Sequence, residues 1–432
     1  MLKDSPSSDG KGVHVVTKSI RYGWVALALM IVFLTLAAHA QTFTVLHSFT
    51  GGSDGGHPGA GMNVDQHGAF YGTTQYGGDL NCDNGGVAGC GVLFKFRNSG
   101  SGWILTPLHS FHDGPDPTYP GEPTIGPNGT LYGMTFLGGT DSNGLIYNAG
   151  PLPSAPVTGI AFWSYNPIYQ FTGGDDGGSP TRLAPLLFDA AGNIYGAATY
   201  GGSTNSGVVY ELTPSRSGWT ETTLYSFTGG SDGSHLRGII FDGEGNIYGI
   251  AAYGGNQNCG TVYKLTHSQS GWTESTVHSF QSNVDGCWPG PLILDKAGNL
   301  YGLTEQNGPD NNGGTVWELS PSNGSWTFSV LYAFPAATVG DFGPYAPALD
   351  AAGNLYGISN WGGYENLGFL FKLAPSNGGW TYTELYDFGT APGQLDGCVP
   401  QGAPVLDADG NIYGVTEFCG RNDAGTVWEF TP

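Results

Sequence analysis

The chain has 432 residues, 75 of them Gly and only 11% charged, which excludes a helix-rich protein built on Lys, Glu and Ala faces. With 13 basic against 35 acidic residues the formal net charge is −22, so phosphate backbones and anionic lipid surfaces are repelled and no nucleic-acid partner is expected. Aromatic residues, at 13%, supply the area for a core.

The first forty residues differ from the rest. Lys18 and Arg21 precede an apolar run from Trp24 to Ala38, and Ala38-His39-Ala40 fits a small-residue cleavage site, so residues 1–40 read as a secretory signal peptide. The rival reading is an uncleaved anchor, but the run falls short of the roughly 20 residues that cross a bilayer, and no span is expected after cleavage. Four basic and two acidic residues lie in that segment, so its loss leaves 9 against 33 and a net charge of −24. The expected setting is secreted, periplasmic or cell-surface.

Beyond the leader, the dipeptide Tyr-Gly follows a strand-like run at Tyr71, Tyr132, Tyr195, Tyr248, Tyr301, Tyr356 and Tyr413, at spacings of 53 to 63 residues. A repeat of about 55 residues without helical periodicity is the length of a four-stranded blade with its turns. Seven such units predict an all-β, seven-bladed propeller over residues 41–432, a single domain expected to be monomeric.

The third unit shows the pattern: a first strand over 184–189 (APLLFD), a turn, a second over 194–199 (IYGAAT), a loop opened by Gly201-Gly202, a third over 207–212 (GVVYEL) and a fourth over 219–227 (WTETTLYSF). The Asp-x-x-Gly-Asn turn recurs at Asp189, Asp242, Asp295, Asp350 and Asp407. Asp and Asn cap such a turn and Gly accepts positive φ, so these Asp residues read as turn formers. In the fourth strands His47, His109 and His278 share a position with Tyr169, Tyr225, Tyr332 and Tyr386, which marks packing or hydrogen bonding rather than catalysis. Trp103, Trp219, Trp272, Trp326 and Trp380 start outer strands and are expected to seal neighbouring blades. The second unit fits worst, because 149–161 is inserted and either GLIY (144–147) or GIAF (159–162) supplies its third strand.

The mature chain opens on a lone fourth-strand element, TFTVLHSF (42–49), and its last element is of third-strand type. Pairing the two closes the ring and removes an exposed edge. The six cysteines sit in loops of one face, and neighbourhood pairs Cys82 with Cys90, Cys259 with Cys287 and Cys398 with Cys419; other pairings stay open, and no Cys-x-x-Cys or His/Cys cluster offers zinc a site.

NIYGAATYGGSTNSGVVYELTP (193–214) followed by TLYSFTGGSDG (223–233) resembles the Gloeo-Verruco (GloVer) tandem-repeat proteins, and the resemblance runs over residues 42–432. It implies an exported, repeat-built bacterial protein of unassigned activity, often joined to a C-terminal surface-sorting segment, which is not visible here. The Asp-x-x-Gly-Asn-aliphatic-Tyr portion also resembles the blade signature of NHL-type propellers. Neither resemblance supplies a catalytic residue.

Two positions near the upper end of the second strand carry the functional candidates. Four residues after each repeat Tyr stand Gln75, Phe136, Thr199, Ala252, Glu305, Asn360 and Glu417. The oxygen-rich members belong to units five, six, seven and one, contiguous in a closed ring. Glu305, Asn360, Glu417 and Gln75 are therefore candidates for a hard-cation or acid/base site, with Glu305 and Glu417 as the carboxylates; solvated strand ends are the bland alternative. The next position holds Tyr76, Leu137, Tyr200, Tyr253, Gln306, Trp361 and Phe418, aromatics that either stack on a sugar or partner or cover the blade cores. Asp-Gly turns at Asp54, Asp113, Asp176, Asp232, Asp285 and Asp396 are spread around the ring, so no cofactor is expected and calcium is the candidate if one is present. No nucleophile elbow and no phosphate-binding loop occurs. The expected function is a binding or surface-interaction module for an extracellular glycan or envelope component, with a carbohydrate-active or lactone-type hydrolase or lyase as the alternative.

Overall fold

The structure is a computed structural model, and it describes residues 41–84, 86–112, 118–152, 163–309, 313–335 and 345–432. The expected signal peptide over residues 1–40, Asp113 and the GIAF stretch lie outside the described residues. Phe43 to Thr431 form one compact unit of seven four-stranded antiparallel sheets arranged as a propeller. In each blade the first strands lie nearest the axis, where they meet one another: a side chain at Gly238 would run into Ala184 of one adjoining blade and touch Pro291 of the other. The ring closes as the spare N-terminal strand predicts, with Thr42–Ser48 as the outer strand beside Thr426–Thr431 in the seventh blade. Phe43 stacks on Tyr386 of the sixth blade with ring centroids 3.8 Å apart, which seals the joint.

The Tyr-Gly dipeptide has a packing cause. In every blade the Gly pairs across the ladder with an aromatic residue of the third strand: Gly72 with Phe94, Gly133 with Tyr147, Gly196 with Tyr210, Gly249 with Tyr263, Gly302 with Trp317, Gly357 with Phe371 and Gly414 with Trp428. Each of those rings is buried, and a Cβ on the glycine would collide with it. The absent side chain is the space the ring fills, so every blade carries one large aromatic per Gly in its core.

The Tyr of the dipeptide joins the first hairpin to the third strand. Asp189 accepts the backbone N–H groups of Ala191 and Asn193, each at 2.9 Å, and the Asn193 amide at 2.8 Å, while Tyr195 donates its hydroxyl to the same carboxylate. The same set recurs at Asp295, Asp350 and Asp407. These Asp residues are turn formers, as their spacing predicts. The third strand then places either a Glu within reach of the phenol, as Glu318 at 2.8 Å from Tyr301, or a Lys over the ring, as Lys95 over Tyr71 at 5.1 Å. The outer-strand Trp residues seal blades as expected: Trp326 packs on Tyr248 and Trp380 on Tyr301, each in the preceding blade, at 5.7 and 6.4 Å.

Three elements differ from their sequence reading or settle it. The third strand of the second blade is Leu145–Pro151, the GLIY alternative. The first strand is longer than expected and broken: in the third blade Gly178–Pro180 and Leu187–Phe188 pair with the two ends of Ile194–Tyr200, while 181–186 bulge out of the ladder. Pro180 and Pro185 lack the N–H that an unbroken ladder requires. All three disulfides pair as neighbourhood proposes, with Cα–Cα distances of 5.7, 4.3 and 5.4 Å for 82–90, 259–287 and 398–419. The bridge from Cys259 to Cys287 ties the fourth blade to the fifth.

Candidate functional site

The upper face is built by the loops between second and third strands and by the turns that precede the first strands. Those Asp-Gly turns are occupied internally. Thr172 and Thr228 donate their backbone N–H to Asp176 and Asp232, at 2.9 and 2.8 Å, and the fourth strand adds a ring donor: Tyr169 to Asp176 at 2.9 Å, His278 with Asp285 at 2.7 Å, Tyr386 to Asp396 at 2.8 Å. This is why His and Tyr interchange at that position; both rings reach the same carboxylate. Among the described residues no group of three or more His, Cys, Asp or Glu side chains is placed to hold a metal ion.

Immediately after each turn stands a residue with left-handed backbone: His57, Tyr119, Ser179, His235, Trp288 and Val399, with φ between 51° and 59°. Non-glycine residues, a β-branched Val above all, adopt this conformation at a cost of about 1–2 kcal/mol. A hydrogen bond between blades offsets it. The N–H of Ser179 donates to Asn143 O, His235 to Ser206 O, Trp288 to Cys259 O and Val399 to Leu367 O, each acceptor lying in the preceding blade, at 2.6 to 3.1 Å. The strained backbone thus stitches the ring while presenting a different side chain from each blade.

Those side chains and the aromatic candidates form a connected arc. Phe136, Tyr200, His235, Tyr253 and Trp288, from blades two to five, follow one another at centroid distances of 6.4, 5.1, 5.0 and 6.1 Å. His57 joins Tyr76 and Phe418 across the closure, at 5.4 and 5.1 Å. Tyr200, Phe418 and Trp361 are 37%, 38% and 43% exposed, so the rim faces solvent as well as capping the blade ends. A cleft of about 440 Å³ opens beside the arc, lined by Tyr119, Phe136, His235 and Tyr253 together with Arg182 and Arg237.

The oxygen-rich candidates go to two places. Glu417 accepts the Gln401 amide at 2.6 Å, Gln401 in turn accepts the hydroxyl of buried Tyr345, and Asn360 lies within reach of that hydroxyl. Burial pushes the Glu417 carboxyl up to about 7 against the opposing pull of Arg182. Glu305 instead forms an ion pair with Arg237, whose Nη1 also donates to Trp288 O at 3.1 Å. Gln75 lies against Gly59, where a side chain would collide with its amide. Asn360 and Glu417 therefore share a network, whereas Glu305 is engaged elsewhere.

Sequence reasoning passed over Arg237 and Gln401, on first strands, Arg182, in the bulge of one, and Tyr345, just ahead of one. Arg237 and Gln401 sit at register shifts of their strands, and Arg182 in the bulge of the third blade, where a bulge re-aims a side chain out of the ladder. One signal points there: Pro58, Pro120, Pro180, Pro289 and Pro400 recur at one position and flag the variable, left-handed residue before each.

Fold and mouth together define a seven-bladed β-propeller with an aromatic, polar-centred upper face. The chain belongs to the Gloeobacter/Verrucomicrobia repeat family, whose model matches residues 80–313 and 288–432. It is 23% identical over 378 residues to a xyloglucanase of Paenibacillus sp, covering 83% of this chain and 34% of that enzyme, so it spans about a third of the enzyme's length. Among solved structures, the extracellular domain of a one-component system from B. thetaiotaomicron aligns with a TM-score of 0.52 and 14% identity over 90% of this chain and 40% of that one. A second structure from that organism, the extracellular domain of a hybrid two-component system, gives 0.51 and 14% over 90% and 39%. These two likenesses concern the fold. Among the described residues no helix is long and apolar enough to cross a membrane.

Proposed function

We propose that this protein is an exported carbohydrate-binding propeller that holds a glycan on its upper face. The observation that carries the reading is the arc from Phe136 to Trp288 beside the cleft, because partly exposed aromatic rings along a groove offer the stacking faces on which pyranose rings pack. The partial likeness to a xyloglucanase supports a glycan as the ligand class. The test is a glycan array followed by calorimetry with the secreted protein. Tyr253→Ala is expected to weaken binding roughly tenfold, the scale of one lost stacking contact with its buried area, at unchanged melting temperature. No glycan bound, or wild-type affinity in Tyr253→Ala, would refute the reading.

A second reading, hydrolysis or lysis, is favoured by one observation. A carboxyl held at about 7 and hydrogen-bonded to Gln401 is suited to act as a general acid. Glu417→Gln should then abolish turnover of any bound glycan while preserving affinity; equal turnover in the variant removes this reading.

A further inference from the structure

We infer, building on the carbohydrate-binding reading, that the cleft between blades two, three and four receives the carboxylate of an acidic sugar, and that Arg182 is the residue that takes it. The first ground is the distribution of charge. Outside the leader the chain has 9 basic against 33 acidic residues, and Lys95, Lys264 and Lys372 lie over repeat Tyr rings at 5.1, 5.1 and 5.4 Å. Of the six that remain, Arg182 and Arg237 line this one cleft, and no Asp or Glu lines it among the described residues. In so acidic a molecule this is a local reversal of sign, and it favours an anion there.

The second ground is the state of the Arg182 guanidinium. It makes no hydrogen bond among the described residues, and its Nη1 is buried without an acceptor. A buried N–H left unpaired costs about 1–3 kcal/mol, more on a charged group, so an acceptor supplied by a ligand is strongly favoured. Glu417, whose carboxyl feels the Arg182 charge, makes its hydrogen bond with Gln401 instead. The guanidinium sits over the Tyr119 ring at 5.6 Å, a contact that uses its face and not its N–H edge. Arg237 has a different part: Nη1 is taken by Glu305 and the carbonyls of Trp288 and Pro289, so its charge is already balanced and Arg182 is left as the primary contact. His235, which lines the same cleft, is held below its ordinary value by burial and by Arg237.

The third ground is the company the charge keeps. Phe136 and Tyr253 line the same cleft, so a ring bearing the carboxylate finds stacking faces beside the arginine. An inorganic anion would use the charge and leave those faces idle. A uronic acid uses both.

The experiment is calorimetric titration of the secreted protein with trigalacturonate and with the same trimer after reduction of its carboxyl groups. The acidic trimer is expected to bind roughly tenfold tighter, the scale of a charge-assisted bidentate contact, with an advantage that shrinks as salt rises. Arg182→Met should abolish the advantage and leave the affinity for the reduced trimer and the melting temperature unchanged. Arg182→Lys, which keeps charge without the fork, should retain part of it. Equal binding of the two trimers by wild type, or an Arg182→Met variant that loses both alike, overturns the assignment. If both trimers bind equally and Tyr253→Ala loses both, only the carboxylate is wrong; if neither trimer binds, the acidic-sugar assignment is overturned while the glycan array decides the carbohydrate reading separately.

Discussion

The two ends of each blade obey different rules. At the hairpin end, between first and second strands, Asp189, Asp295, Asp350 and Asp407 accept the same turn N–H groups, the same Asn amide and the same Tyr hydroxyl, blade after blade. At the mouth, equivalent positions read Gln75, Phe136, Thr199, Ala252, Glu305, Asn360 and Glu417. A closed ring of repeats asks every blade for the same turn and the same core, so the hairpin end has one solution. The mouth has met its structural demand once the interblade N–H bonds are made. Its side chains are then free to differ, and a ring of unlike groups facing one axis is what recognition of an asymmetric ligand requires.

The largest test of this contrast removes the joint on which the uniform framework depends. A chain beginning at Gly51 lacks the strand Thr42–Ser48 and the Phe43 stack on Tyr386, and leaves Thr426–Thr431 as an open edge. Its loss of stability is expected to exceed about 4 kcal/mol and to bring self-association, read by thermal unfolding and size-exclusion chromatography. An unchanged midpoint and a monomeric profile would mean that the framework does not need closure.

A single residue at the uniform end should come next. Gly414→Val forces a branched side chain into the space of the Trp428 ring and is expected to cost about 3 kcal/mol in urea unfolding. Thr199→Val, at the variable end, should stay within about 0.5 kcal/mol. Comparable losses at both sites would erase the distinction between the two ends.

The smallest effect sharpens the contrast through pH. Glu417 is raised from its ordinary 4.5 to about 7 by burial, so the folded state holds the proton that the unfolded chain releases earlier. Its contribution to stability is therefore complete below the unfolded value and is lost as pH rises through about 7. Glu122, lining a cavity of about 320 Å³ among first strands, is pushed to about 8 by the same cause and extends the decline. The melting temperature should fall from roughly pH 5 to 8, and Glu417→Gln, which stays neutral, should flatten the acidic half of that fall. Parallel curves for variant and wild type would show that this carboxyl ionises as an exposed one does.

Much of the framework was legible because its residues recur at fixed offsets. Tyr-Gly, the Asp turns, the spare strand over 42–49 and the cysteine neighbours each depend on local geometry, and all took the predicted places. The candidate site was legible only in part. Asn360 and Glu417 emerged from counting four residues past the repeat Tyr, and the structure brings them into one network through Tyr345 and Gln401. Arg182, Arg237 and Gln401 did not emerge, because first strands vary in length ahead of the hairpin: Gly178 stands 11 residues before its turn Asp, Ser234 only eight. No fixed offset aligns residues across such bulges.

The sequence by itself determined what each blade needs to exist, since a turn, a ladder and a ring above a glycine are contacts between residues close in the chain or at a constant register. Only the tertiary structure decided which unlike side chains face one another at the mouth. Arg182 of the third blade senses Glu417 of the seventh, more than 200 residues later, and Arg237 meets Glu305 from the next blade. Those meetings follow from the curvature that closes seven sheets around one axis and from the bulges that turn the first strands toward it, and neither quantity is written in any single repeat.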